Sequence, residues 1–309
     1  MVLEARDVSF AYGPEKWPIR NLSFQLPGPR RVCLLGRNGA GKSTLMMLIN
    51  GTLRPQQGEI CVLGRPIDYS RAGLKALRRT VGIVLQDPDD QLFGATVEQD
   101  VAFGPLNNGV EQAAARTLVH QTLVRLGIDH LADRPIHELS LGEKKRVALA
   151  GILILRPSII LLDEPTAGLD FAGVTAMLNL LDELYANGTT LLVSTHDTDL
   201  ACEWADDGWI LLNGNLVSQG PIEDVVQDDV LPEAHLRVPA VVEFGRAIRE
   251  AHPELAGRPL PKNRDDMLTL IQAIQAGSKT SRSNPSPQLR GSDEPAKQGK
   301  PSLEAKSLI

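Results

Sequence analysis

The run Gly36-Arg37-Asn38-Gly39-Ala40-Gly41-Lys42-Ser43-Thr44 carries the residue types that polyphosphate binding needs, in the order it needs them. Glycines let consecutive backbone N–H groups turn toward one anion, and a helix N-terminus adds partial positive charge. Lys42 is long enough to reach β- and γ-phosphates, and the Ser43 hydroxyl is placed for Mg²⁺. The flanks agree. Val32-Cys33-Leu34-Leu35 reads as a buried strand before the loop, and Leu45-Met46-Met47-Leu48-Ile49 as a helix after it. A glycine-rich turn matching by chance would not bring both flanks with it, so the chain is read as binding a nucleoside triphosphate.

Further residues extend that chemistry to hydrolysis. Asp163 and Glu164 follow the apolar strand Ile159-Ile160-Leu161-Leu162, at the strand end where open α/β sheets place their ligands. Asp163 suits Mg²⁺ binding and Glu164 suits polarising an attacking water, although two acids before Pro165 would also cap a turn. His196 follows the strand 190–193, and Gln86 follows Val81-Gly82-Ile83-Val84-Leu85; each is ambiguous alone. Tyr12 can stack on a base or fill half-buried core.

The elements that must hold these residues alternate. Strands are expected over 2–12, 21–26, 32–35, 58–63, 81–85, 159–162 and 190–193, with a hairpin at 209–217 closed by Asn213-Gly214. Helices are expected after the glycine loop, over 71–79, 110–126, 144–155 and 173–186. In 110–126 the apolar stripe is Val110, Ala113, Ala114, Leu118, Leu123, Val124 and Leu126. The pattern gives an α/β chain with a mostly parallel sheet, interrupted by a helical insertion at about 87–155. Beyond residue 230 a small helical extension to 277 is expected. It places Ala240, Val241, Phe244 and Ile248 on one face, then a second helix that stops at Gly277. From 278 to 309, Ser, Pro, Lys, Gln and Gly dominate and the reading is a disordered tail.

Composition narrows the class. Hydrophobic residues make up 42% and aromatics 4%, which suits an aliphatic α/β core. The stretch 147–155 is the longest apolar one and is too short to span a bilayer. Cys33, Cys61 and Cys202 lack metal-ligand spacing and suit a reducing compartment. A net charge of −6 speaks against nucleic acid as a general partner.

Glycine loop, Gln86, Ser140-Leu141-Gly142, Asp163-Glu164 and His196 occur in the order of the ATP-binding-cassette (ABC) ATPases, and over residues 1–230 the chain resembles that family. The resemblance implies a P-loop cassette with a RecA-like parallel core sheet, an antiparallel β subdomain and a helical signature subdomain. It makes Tyr12 the residue that stacks on adenine, and ATP with Mg²⁺ the ligands, the metal held by Ser43, Gln86 and Asp163. Glu164, His196, Gln86 and Lys42 become the hydrolytic set. Ser140 and Gly142 become contacts to ATP held by a second ATPase subunit, in a homodimer or heterodimer. Three positions depart from the family: Leu141 and Glu143 in Leu-Ser-Leu-Gly-Glu, where Leu-Ser-Gly-Gly-Gln is usual, and Phe171, where proline is common. Altered affinity or rate is expected from these, with activity retained.

The segments 84–93 and 100–105, together with Lys144-Lys145-Arg146-Val147-Ala148, resemble the ATPases of energy-coupling-factor importers, especially the cobalt and nickel type. That resemblance implies a transmembrane coupling subunit and a substrate-binding membrane subunit as partners, with this chain peripheral at the cytoplasmic face. It also suggests that Asp87, Asp89 and Asp90 face an arginine-bearing coupling helix beside Leu92 and Phe93. A cassette of another transporter would show the same chemistry with a different membrane partner. Soluble cassettes acting on ribosomes or DNA usually carry a second cassette or a long coiled-coil insertion, and this sequence shows neither.

Overall fold

A computed structural model describes residues 1–281 except Glu15 and Asp228. Strands β1 (Leu3–Phe10), β2 (Ile19–Leu26) and β3 (Arg31–Leu35) lead into helix α1 (Lys42–Ile49), followed by β4 (Gln57–Val62), β5 (Arg65–Pro66), α2 (Arg71–Thr80) and β6 (Val81–Val84). Helices α3 (Val97–Asn107), α4 (Gln112–Arg125) and α5 (Leu141–Leu153) form the insertion. Then come β7 (Ile159–Asp163), α6 (Phe171–Ala186), β8 (Thr190–Thr195), α7 (Thr198–Trp204) and the hairpin β9 (Asp207–Leu212) and β10 (Asn215–Pro221). The chain closes with α8 (Ile222–Val225), α9 (Val230–Glu233), α10 (Ala240–Ala251) and α11 (Arg264–Ser281).

The larger sheet runs β10-β9-β3-β8-β7-β6, parallel throughout except for the β10 hairpin; a four-stranded antiparallel sheet runs β2-β1-β4-β5. Strand periodicity explains the core. In β3, Val32 and Leu34 enter one hydrophobic cluster, and Cys33 and Leu35 the other. In β7, Ile159 and Leu161 face the first cluster, and Ile160 and Leu162 the second. Both strands are covered on both faces, which is why they read as unbroken apolar runs.

Several boundaries move for local reasons. Helix α5 begins at Leu141 because Ser140 caps it and Glu143 completes a capping box. Asp170 likewise caps α6 and brings its start forward to Phe171. Glu111 caps α4, leaving Val110 outside the helix, so the buried stripe is Ala115, Val119 and Leu123 while Val124 is exposed. Pro105 lies inside α3, where it supplies no N–H to the carbonyl four residues before it. In α10 the buried face is Val242 and Gly245, and Phe244 points out.

The chain forms two compact units, Met1–Met267 and Leu268–Ile309. Of the second, the described part is the continuation of α11, which passes Gly277 and runs to Ser281. The remainder of the expected disordered tail, 282–309, lies outside the described residues.

Candidate active site

Loops leave the carboxyl ends of β3, β8 and β7 side by side, because Leu35 pairs with Thr195 and Asp163 with Ser194. That register gathers the glycine loop, Asp163 and Glu164 around one cleft of about 220 Å³, to which Gln86 and Tyr12 also contribute. Helix α1 opens into this cleft with Gly41 as its N-cap, no side-chain cap and no acidic residue in its first turn. The N–H groups of Lys42, Ser43 and Thr44 therefore have no carbonyl partner within the helix, and the helix dipole favours an anion there. Gly41 adopts φ 113°, and a Cβ on it would stand 2.2 Å from the Pro18 carbonyl oxygen; only glycine fits.

Lys42 is buried, and its ammonium donates to the Gly36 carbonyl at 2.6 Å and stands 3.7 Å from Glu164 Oε1. Burial holds its pKa below the ordinary lysine value, with Glu164 and Asp163 pulling the other way. A buried cation at an uncapped helix terminus fits a polyphosphate by geometry and by charge.

Asp163 accepts a hydrogen bond from Ser194 Oγ. Glu164 adopts the left-handed conformation, φ 46°, with its N–H donating to the Ser194 carbonyl and hydroxyl, both at 3.2 Å. Glu164 Oε1 lies 2.9 Å from His196 Nδ1. Among the described residues no group of three His, Cys, Asp or Glu could hold a metal. Ser43, Gln86 and Asp163 nevertheless line the same cleft, and their oxygens form a hard donor set that suits a cation whose other ligands are phosphate oxygens and water.

The other residues singled out in the sequence divide between this cleft and its surroundings. Gly36 and Arg37 offer carbonyls to Lys42, the Arg37 side chain reaches Asn213 at 3.3 Å, and Ala40 is buried in the core. Asn38 and Gly39 line the cleft. Tyr12 is 53% exposed at its mouth, not core, and its hydroxyl is 3.2 Å from Thr44 Oγ1. Ser140 and Gly142 line a separate cleft of about 860 Å³ with Gly168, Leu169 and Asp170. There the Ser140 hydroxyl and N–H both donate to Glu143 Oε2, at 2.8 and 2.7 Å, and lower the Glu143 pKa.

Two residues that sequence reasoning gave no role join the site. Ser194 ties Asp163 to Glu164. Lys145 is buried, and its ammonium donates to the carbonyls of Glu164, Pro165 and Ala167 at 2.9, 3.2 and 2.7 Å. The available signal was a lysine interrupting the apolar face of α5.

The acidic run is exposed, and Asp87 and Asp90 line an open cleft with Gln86. Asp87 caps a short turn by accepting the Asp89 N–H at 3.0 Å, and Asp89 pairs with Lys144 at 2.6 Å. The nearby apolar groove, about 550 Å³, holds Phe93 and Phe103 in edge-to-face contact at 4.7 Å; Arg71, Lys75, Arg78 and Arg79 stand on its wall, with Asp100 engaged by the N–H groups of Phe93 and Gly94.

A parallel sheet whose glycine loop and acidic strand end meet at one cleft, with a loop histidine on the second acid, defines a P-loop nucleoside triphosphatase. Residues 19–167 match the family model for ABC transporters. A cobalt import ATP-binding protein, CbiO, from Rhodobacter capsulatus is 44% identical over 265 residues, covering 85% of this chain and 95% of that protein. An energy-coupling factor transporter ATP-binding protein, EcfA, from Methanocaldococcus jannaschii is 42% identical over 244 residues, covering 79% and 88%. The solved structure of cbiO1 from Clostridium perfringens, described as part of the ABC transporter complex cbiONQ, superposes with a TM-score of 0.67 at 37% identity, covering 82% of this chain and 96% of that one. The chain belongs to the ATP-binding, ATP-hydrolysing subunits of ABC transporters of the energy-coupling-factor type.

Proposed function

We propose that this ATPase energises uptake of a micronutrient cation, cobalt or nickel, through an energy-coupling-factor importer. The carrying observation is the meeting of Lys42, Gln86, Asp163 and Glu164 in one cleft, with His196 on Glu164. Tyr12 stacks on adenine, and the N–H groups of the glycine loop and α1 hold the phosphates. Lys42 exchanges its contact with Glu164 for the β- and γ-phosphates. Ser43, Gln86 and Asp163 hold Mg²⁺, which when bound withdraws charge from the phosphate oxygens. Glu164 orients and polarises the attacking water, and His196 holds Glu164 while its exposed edge meets the γ-phosphate.

A second cassette, identical or related, completes each site. Support comes from Ser140 and Gly142, which lie in a different cleft from the chain's own Lys42 and are thus available to ATP on a partner. Transmembrane and substrate-binding partners are supported by the structural neighbour described as part of the complex cbiONQ; no helix among the described residues is long and apolar enough to cross a membrane. The Phe93–Phe103 groove suits a helix from the coupling subunit, one that carries acidic as well as apolar residues to match the basic wall. The cation cargo is supported by the relative named for cobalt import.

Affinity purification of the tagged chain from its native membranes tests the proposal. A transmembrane subunit should co-purify with it. Recovery of free chain alone, under detergent conditions that keep other transporters intact, would refute it.

A further inference from the structure

Helix α5 carries two contacts on one face, four residues apart, that both grip the turn following Asp163. Lys145, 3% exposed, donates to the carbonyls of Glu164, Pro165 and Ala167. Leu141, the first residue of the helix, lies over Gly168: a Cβ built there would stand 2.7 Å from Leu141 Cδ2, and φ 75° already demands glycine. The spacing is the i, i+4 neighbourhood of an α-helix, so both side chains descend onto the same turn.

That turn holds Glu164 in a conformation that non-glycine residues avoid, φ 46°. A left-handed non-glycine residue is strained and persists only where its surroundings over-determine it. Here the two ends of the residue are pinned separately. Ser194 accepts its N–H, and Lys145 holds its carbonyl. Lys145 is absent from the cleft around Lys42 and Glu164; it lines the neighbouring cleft with Ser43, Gln86 and Asp163, where its ammonium is engaged by the carbonyls of Glu164, Pro165 and Ala167.

We infer that Lys145 is a positioning residue for hydrolysis: by clamping the carbonyls of Glu164, Pro165 and Ala167 it fixes the backbone from which the Glu164 carboxylate is aimed. The inference rests on the proposed role of Glu164. It has a second consequence. Because Leu141 and Lys145 belong to the helix that Ser140 caps, the segment offered to a partner's ATP and the turn carrying Glu164 form one rigid body. The contact between Leu141 and Gly168 gives the departure from the family's usual glycine at 141 a physical use.

The test is a double-mutant cycle between Lys145→Met and Glu164→Gln, read by single-turnover ATP hydrolysis, with ATP affinity measured separately. Misplacing a catalytic group by about 1 Å costs roughly a hundredfold. Lys145→Met should therefore slow hydrolysis by about tenfold to a hundredfold while ATP affinity stays within about threefold. In the Glu164→Gln background the same change should cost almost nothing further, because the group it aims is already gone. Lys145→Gln, which restores a donor without the charge, should recover most of the rate and reports on folding together with the thermal midpoint. Equal losses in both backgrounds, or a Lys145→Met variant that hydrolyses at the parent rate, would overturn the inference. Parent-level hydrolysis in Glu164→Gln would instead refute the role given to Glu164, so the two failures are distinguishable.

Discussion

Glutamine at position 164 is the sharpest perturbation of the site. It keeps the size of Glu164, and its amide oxygen can still meet His196, now 2.9 Å away. It removes the charge that faces Lys42 at 3.7 Å and the carboxylate that would polarise water. Loss of a positioned general base costs about 10²–10⁴-fold, which is roughly 3–5 kcal/mol on the barrier. Binding should respond in the opposite sense. At an effective dielectric near 20, the attraction between Lys42 and Glu164 is about 4 kcal/mol before hydration is subtracted, and ATP must displace it. The variant should thus bind ATP as tightly as the parent or more so, while phosphate release at saturating ATP falls at least a hundredfold. Equilibrium binding and continuous phosphate-release assays on the same preparation measure both. Turnover within tenfold of the parent would show that another group activates the water.

Lys42→Ala should act on binding itself, weakening ATP affinity about tenfold to a hundredfold, the worth of a charged hydrogen bond of ~1.5–3 kcal/mol; equilibrium titration measures it. Sedimentation of Glu164→Gln should shift from monomer to dimer when ATP is added, and an unchanged profile would dismiss the shared site. Glu143→Ala removes the capping box and should cost about 1 kcal/mol, or about 2–4 °C in Tm. Bonds from Ser140 hold the Glu143 pKa below its ordinary 4.5, so its contribution is fully present above that value and fades as pH falls through the lowered one. The Tm difference should accordingly be full at pH 7 and shrink as pH falls below the ordinary value of 4.5.

The parallel core was legible because β3 and β7 are buried on both faces and spell unbroken apolar runs. The glycine loop was legible because its requirements are local: Gly41 is needed for its own φ and for the approach of Pro18. What escaped was set by distant contacts. Lys145 interrupts the apolar face of α5, but its carbonyl partners are known only once the turn after Asp163 folds against it, and Ser194 acquires meaning only when β8 pairs with β7. Caps misled the boundaries: Glu111 starts α4 one residue past Val110 and rotates its buried stripe away from Val124. Asp87 and Asp89 are exposed as an acidic face should be, but the turn that Asp87 closes and the pairing of Asp89 with Lys144 are contacts that sequence spacing alone does not reveal.

Uptake of radiolabelled cobalt and nickel by cells lacking this chain, complemented with the parent or with Glu164→Gln, tests the central claim most directly. The parent should restore uptake of at least one of the two ions, and the variant, expressed and membrane-associated to the same level, should not. Uptake of both ions that is unaffected by loss of the chain, or restored equally by the variant, would contradict it.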